Sequence, residues 1–99
     1  MKVLRGILRE SLVYYERLER DLLHRLGKLP QGSVKRRRLK GRVYYYFQQR
    51  RGAKVVHRYL GRNEPRDLIQ AVRERRLLKQ ELAKARAALK LLPRRKLAS

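Results

Sequence analysis

The sequence lacks some residue types altogether and contains few of others. It contains no cysteine and no tryptophan, and only eight of its 99 residues are acidic. Without cysteine there is neither a disulfide framework nor a thiolate metal site. The two histidines, His24 and His57, lie far apart in the chain, whereas a metal site needs about three or four ligands. We therefore predict no metal and no cofactor.

Long apolar runs are also missing. No segment approaches the roughly 20 consecutive apolar residues of a membrane-spanning helix. Arg5, Arg9 and Glu10 interrupt the beginning of the chain, where a signal peptide would require an apolar stretch. We therefore expect a cytoplasmic protein, either free or associated with the nucleoid, that has no membrane partner.

Positive charge is what the chain has in excess. Its 29 Lys and Arg residues outnumber the eight acidic residues and give a formal net charge of +21. Self-repulsion of this size destabilises a compact fold unless counter-charge lies nearby, and a basic domain is the electrostatic footprint of nucleic-acid binding. The length suits one small domain without a large active-site cleft. We therefore predict that the protein is not an enzyme and that its partner is nucleic acid.

Two segments have the apolar period of an amphipathic helix. Residues 1–30 place apolar side chains at spacings of three, four and seven, and Gly27 is a helix stop. These apolar residues are Leu4, Leu8, Tyr15, Leu18, Leu22 and Leu26. Residues 63–92 keep a spacing close to the heptad of a coiled coil, with Pro65 in the first turn. We predict a helix in each segment, followed over 93–99 by a basic flexible tail.

The segment between the helices, residues 31–62, has the composition of a sheet. Glycines recur every nine to eleven residues, and the central run Val-Tyr-Tyr-Tyr-Phe over 43–47 is strongly β-prone. These features predict three antiparallel strands in a meander. Period two places Val43, Tyr45 and Phe47 on one face of the second strand. The other face carries Tyr44, Tyr46, Gln48 and Arg50. The first strand carries many cations, and its two apolar residues, Val34 and Leu39, fall on opposite faces. It is therefore predicted to be an edge strand, and the change of face suggests a bulge.

These elements together predict an α+β fold in the order α-β-β-β-α, as a single domain over 1–92. A three-stranded sheet alone is marginally stable, so we expect the two helices to pack antiparallel and to cover one sheet face. A helix with heptad spacing can also pair with a helix of another chain, so the helices allow a homodimer or a larger protein partner.

The strand segment carries eleven Lys and Arg residues and no acidic residue. Lys and Arg neutralise phosphates and release counterions, Arg adds planar bidentate contacts, and Tyr hydroxyls donate to phosphate. The candidate nucleic-acid-binding residues are Lys35, Arg36, Arg37, Arg38, Lys40, Arg42, Tyr44, Tyr46, Arg50, Arg51, Lys54, Arg58 and Arg62.

Three motifs in this region are Leu-Pro-Gln-Gly-Ser over 29–33, the tyrosine run Gly-Arg-Val-Tyr-Tyr-Tyr over 41–46, and the segment 54–62 that ends in Tyr-Leu-Gly-Arg. A charged, leucine-rich helical segment follows them. They resemble a set of small, basic, mostly uncharacterised bacterial and archaeal proteins with a GS…YYY…YLG core, which are often associated with mobile elements. The resemblance covers about residues 29–92. The strands are also similar to the three-stranded sheets that tyrosine integrases use as DNA-binding arms. Many members of the set carry a cysteine pair before the tyrosine run, and this sequence has none, so no metal-binding role is implied for it.

Three interpretations of the function remain at this level. We favour duplex DNA bound through the basic sheet, because a sheet can enter the major groove. The alternatives are a structural RNA-binding protein of a ribonucleoprotein particle, and an accessory subunit of a mobile-element complex that uses its long helices to hold a protein. A sheet can also stack single-stranded bases, so the pattern does not choose the strandedness of the ligand.

Reversing the charge of Arg36, Arg37 and Arg38 together should abolish nucleic-acid binding while preserving the far-UV circular dichroism spectrum. For the unaltered protein, six to eight phosphate contacts give a slope of log K against log salt of about −5 to −7. A filter-binding titration at several salt concentrations measures both quantities. Unchanged binding by the triple variant would remove the first strand from the interface.

Overall fold

The computed structural model describes residues 2–93 of the chain. The predicted α+β order, α-β-β-β-α, is confirmed. The predicted tail over 93–99 lies outside the described residues apart from Pro93. The elements are α1 (Lys2–Gly27), β1 (Ser33–Leu39), β2 (Arg42–Arg51), β3 (Lys54–Gly61) and α2 (Arg66–Leu91).

The three strands form one antiparallel sheet in the order β1-β2-β3. The turn between β1 and β2 has positive φ at both central residues, 51° at Lys40 and 77° at Gly41, as a two-residue hairpin of the primed type requires. Gly52 begins the second turn with a φ of 63°. The pairing of β1 with β2 is continuous, so β1 is regular. The irregularity in the sheet lies instead between Tyr45 and Tyr46, in the pairing of β2 with β3.

The pairing register assigns residues of all three strands to two faces, because directly opposite residues point to the same side. Val34 lies opposite Phe47, and Phe47 lies opposite Arg58. We call this side the Phe47 face. Tyr46 lies opposite Tyr59 on the other side, which we call the tyrosine face. The Phe47 face carries Val34, Arg36, Arg38, Val43, Tyr45, Phe47, Gln49, Arg51, Lys54, Val56 and Arg58; the tyrosine face carries Lys35, Arg37, Leu39, Arg42, Tyr44, Tyr46, Gln48, Arg50, Val55, His57 and Tyr59.

The chain divides into two compact units. One contains α1 and the part of α2 that begins at Leu77, and the other runs from Leu29 to Arg76 and contains the sheet. The boundary between the units lies within α2, between Arg76 and Leu77. Arg75 interrupts the apolar stripe of α2 in the sequence, and its side chain is half-buried.

The helix unit is held together by an apolar contact and an ion pair. Leu12 of α1 and Leu89 of α2 form its buried cluster, against which Tyr15 also packs. Glu19 accepts a hydrogen bond from the Arg86 guanidinium at 3.0 Å, between Oε2 and Nε. Earlier residues of α1 therefore contact later residues of α2, so the two helices pack antiparallel, as predicted.

The sheet unit is built around Phe47, which is 3 % exposed and is the buried residue of the strands. The chain before β1 folds onto this side chain at Gly32. A Cβ placed on Gly32 would lie 2.6 Å from Phe47 Cζ and 2.7 Å from the Gln48 carbonyl oxygen. Gln49 Nε2 donates to the Gln31 carbonyl oxygen at 3.0 Å. Residues 31 and 32 are therefore held directly against β2.

Replacing Gly32 with Ala should destabilise the sheet unit, because the added methyl group would overlap a buried ring and a backbone oxygen. Overpacking of this kind costs about 1–3 kcal/mol. Thermal unfolding followed by far-UV circular dichroism measures the change. Gly6→Ala is the matched control, because Gly6 lies within α1 and an added Cβ there meets nothing within 4 Å. We expect this control to raise stability by about 0.5–1 kcal/mol, and equal behaviour of the two variants would contradict the close approach at Gly32.

Candidate nucleic-acid interface

The thirteen residues predicted to bind nucleic acid do not form one surface. Six lie on the tyrosine face and five on the Phe47 face, while Lys40 lies in the first turn and Arg62 follows β3. All eleven cations are exposed. The six are Lys35, Arg37, Arg42, Tyr44, Tyr46 and Arg50, and the five are Arg36, Arg38, Arg51, Lys54 and Arg58.

The tyrosine face has a cluster of three aromatic rings at its centre. The Tyr59 ring centroid lies 5.4 Å from that of Tyr46 and 6.2 Å from that of Tyr44, with tilted rings in both pairs. The Arg37 guanidinium carbon lies 5.3 Å from the Tyr46 ring centroid, within the range of a cation–π contact. The tyrosine face therefore presents aromatic surface and positive charge side by side.

The tyrosine cluster is also accessible. Tyr44 and Tyr46 are half-buried, Tyr59 is 54 % exposed, and no residue of this face is buried. A shallow cavity of about 770 Å³ lies over the rings, and Lys40 and Arg42 line its edge. A sugar or a base can pack on the rings while the cations contact phosphate oxygens.

Sequence reasoning did not place Tyr59 in the candidate site. Its position in β3 showed that it shares a side with Val55 and His57, but the sequence did not relate β3 to β2. That relation comes from the register, which brings Tyr59 opposite Tyr46. The alternation of β3 combined with the length of the second turn is the signal that could have found it.

A second cavity, of about 330 Å³, lies on the Phe47 face. Its walls come from β1, β2, the segment before α2 and the first half of α2, all of which belong to the sheet unit. Arg36 is the member of the predicted set that lines it, and Arg73 and Arg76 of α2 line it as well. From the sequence, α2 was expected only to pack on the sheet. Arg73 and Arg76 are therefore charged residues at this cavity that the sequence did not identify.

Two further observations concern metal ligands and membrane spans within residues 2–93. That part of the chain contains no group of three or more His, Cys, Asp and Glu side chains that could hold a metal ion. Neither α1 nor α2, as described, is long and apolar enough to cross a membrane.

Residues 6–71 match a protein-family model described as Domain of unknown function (DUF6788). The chain belongs to this family. The DUF6788 match extends from α1 through the whole sheet and ends at Ala71 in α2. It therefore includes Gly32, Phe47 and the tyrosine cluster. None of the curated proteins and none of the solved structures compared with the chain matches it.

Proposed function

We propose that this DUF6788 protein is a non-enzymatic cytoplasmic protein that binds duplex DNA with the tyrosine face of its sheet. The observation that carries the proposal is the composition of that face. It combines four strand cations with three accessible tyrosines, and the strand segment contains no acidic residue to oppose a phosphate.

The positions of the cations suit a polyanion. Lys35 and Arg37 lie on the edge strand β1, Arg42 and Arg50 lie towards the two ends of β2, and the tyrosine cluster lies among them. Each phosphate contact releases a condensed counterion, which makes binding favourable and dependent on salt. The cations therefore position the ligand, and the rings contact its sugars or bases.

The width of the sheet favours duplex DNA. Neighbouring strands lie about 4.8 Å apart, so three strands span about 10 Å. The major groove of B-DNA is about 12 Å wide, and some DNA-binding proteins place β-strands of a ribbon or a sheet in it. Arginine side chains on the inserted face can then contact guanine O6 and N7 in a bidentate manner.

RNA binding is the alternative within the same chemistry. The major groove of A-form RNA is deep and narrow, so a sheet cannot read it. An RNA ligand would instead stack unpaired bases on the tyrosine cluster, as single-stranded nucleic acids do on aromatic platforms. Competition between a DNA duplex, its separated strands and an RNA hairpin distinguishes the two interpretations. Preference for the duplex supports the proposal, and preference for either single strands or the hairpin contradicts it.

The two faces of β1 allow a test with matched charge. The variant Lys35→Glu, Arg37→Glu alters the tyrosine face, and Arg36→Glu, Arg38→Glu alters the Phe47 face by the same charge on the same strand. Only the first pair is expected to remove direct phosphate contacts, which makes the slope of log K against log salt shallower by about 2. The second pair should keep the slope and lose only the part of the affinity that comes from overall charge.

Fluorescence anisotropy with a blunt duplex that has 5′-hydroxyl ends measures both slopes, and far-UV circular dichroism checks the fold of each variant. A loss of slope confined to the second pair would move the interface to the Phe47 face. Equal slopes for both variants would show that β1 acts through long-range charge alone.

A second candidate role, contact with another protein chain, is favoured by α1. Leu12 and Tyr15 pack against α2, but Ile7 and Tyr14, which are one heptad apart, remain 54 % and 60 % exposed. Leu4 extends this second apolar stripe towards the beginning of the helix. Exposed apolar stripes of this kind mark interaction sites, so we propose that α1 supports a homodimer or holds a partner of a mobile-element complex.

The double variant Ile7→Ser, Tyr14→Ser should abolish self-association through α1, because it removes the apolar side chains of the stripe. Sedimentation equilibrium after nuclease treatment should give about twice the chain mass of 11.9 kDa for the unaltered protein and the single mass for the variant. Val13→Ser is the control, since Val13 is half-exposed on α1 but lies off the stripe. A monomeric mass for the unaltered protein at every concentration would contradict the homodimer.

A further inference from the structure

The cavity on the Phe47 face has the volume of a small-molecule site, and part of its lining, which we call the floor, is apolar. Its volume of about 330 Å³ falls at the lower end of the range of about 300–1,000 Å³ found for ligand pockets. Val34, Ile69 and Val72 line it with half-buried apolar surface, and the Tyr45 side chain completes that part of the lining. The floor therefore suits the apolar body of a ligand.

The rest of the lining is strongly positive. Arg36 of β1 and Arg73 and Arg76 of α2 contribute three guanidinium groups, against a single carboxylate from Glu64. Arg73 and Arg76 are three residues apart, so they lie on one side of the helix. Like charges collected around a small opening repel one another, and an anion seated between them relieves that repulsion.

The surroundings of Tyr45 leave space for a planar group. The irregular pairing of β2 with β3 places Gly61 opposite Tyr45, while Tyr59 lies opposite Tyr46, so Leu60 is the extra residue. Gly61 has a φ of 114°, a conformation that L side chains rarely adopt. The Tyr45 side chain therefore has no side chain directly across the ladder from it in β3.

We propose that this cavity binds a nucleoside monophosphate, with the phosphate at Arg36, Arg73 and Arg76 and the base against Tyr45 and the apolar floor. Guanidinium groups bind phosphate through paired, charge-assisted hydrogen bonds. An aromatic ring beside an apolar floor accepts a nucleobase by stacking. The same moiety occurs as a free mononucleotide and as the phosphorylated 5′ end of a strand. The site lies on the face opposite the tyrosine face and does not depend on it.

Isothermal titration calorimetry of the full chain with AMP, adenosine and inorganic phosphate, at physiological salt, tests the site. AMP should bind more tightly than either fragment, because only AMP occupies both the cationic rim and the floor. Adenosine binding as tightly as AMP, or phosphate binding as tightly as AMP, would overturn the proposal.

Variants then assign the affinity to the cavity. The variant Arg73→Gln, Arg76→Gln should weaken AMP binding by about tenfold or more, since each charge-assisted hydrogen bond contributes about 1.5–3 kcal/mol. The control Arg66→Gln, Lys79→Gln removes the same charge from exposed positions of α2 that do not line the cavity. Equal losses in the two variants would show that AMP responds to overall charge and would overturn the site.

The contribution of the ring is tested by Tyr45→Leu, which should weaken the binding of AMP but leave that of inorganic phosphate unchanged. Thermal unfolding of each variant confirms that it folds. If phosphate binding is lost together with AMP binding in a folded Tyr45→Leu variant, the placement of the base is wrong.

Single strands of one sequence with 5′-phosphate and 5′-hydroxyl ends distinguish the two sources of the ligand. If the phosphorylated strand binds more tightly than the hydroxyl strand, and the difference disappears in Arg73→Gln, Arg76→Gln, the ligand is a strand end. If AMP binds but the two strands bind with equal affinity, the ligand is a free mononucleotide. AMP binding that survives Lys35→Glu, Arg37→Glu while duplex binding fails supports the cavity independently of the tyrosine face.

Discussion

The contact between Gly32 and Phe47 gives the sheet two different faces. Phe47 is buried on one side because the backbone of the preceding loop lies directly on its ring, at a distance that leaves no space for a Cβ. The apolar floor of the smaller cavity lies on the same side. The opposite side carries no buried residue, so its tyrosines are left accessible. The contact between one aromatic residue and one glycine thus distinguishes the two faces of the sheet.

The charge of the sheet sets a second constraint, because eleven cations are placed in 32 residues without an acidic residue. The structure keeps all of these cations exposed, which avoids the desolvation cost of burying an unpaired charge. Arg37 and Arg58 lie over the rings of Tyr46 and Phe47, at 5.3 Å and 5.7 Å. Such guanidinium–ring contacts cover apolar surface while the charge remains hydrated. Each face of the sheet therefore combines aromatic surface with positive charge, which is the chemistry that nucleotides recognise.

Much of the fold was predictable because its rules are local. The helix ending at Gly27 and the turns at Gly41 and Gly52 depend on residues close in sequence, and so does the alternation of β2. The sequence suggested a bulge in β1, but the irregularity of the sheet occurs between Tyr45 and Tyr46, in the pairing of β2 with β3. The sequence predicted which residues belong to the candidate site, but it did not predict that they form two surfaces. Six of the predicted residues lie on the tyrosine face, and five lie on the Phe47 face.

The sequence by itself determined the order of the elements, the excess of positive charge in the strands and the faces within each strand. The pairing register, which follows from the two short turns, places Lys35 and Arg37 on one face with Tyr59. Only the tertiary structure decided that Arg36 lies with Arg73 and Arg76 around one cavity. Period and turn chemistry act over a few residues and can be read along the chain. The placement of α2 against the sheet brings together residues that are tens of positions apart, and it depends on tertiary packing, which no local pattern specifies.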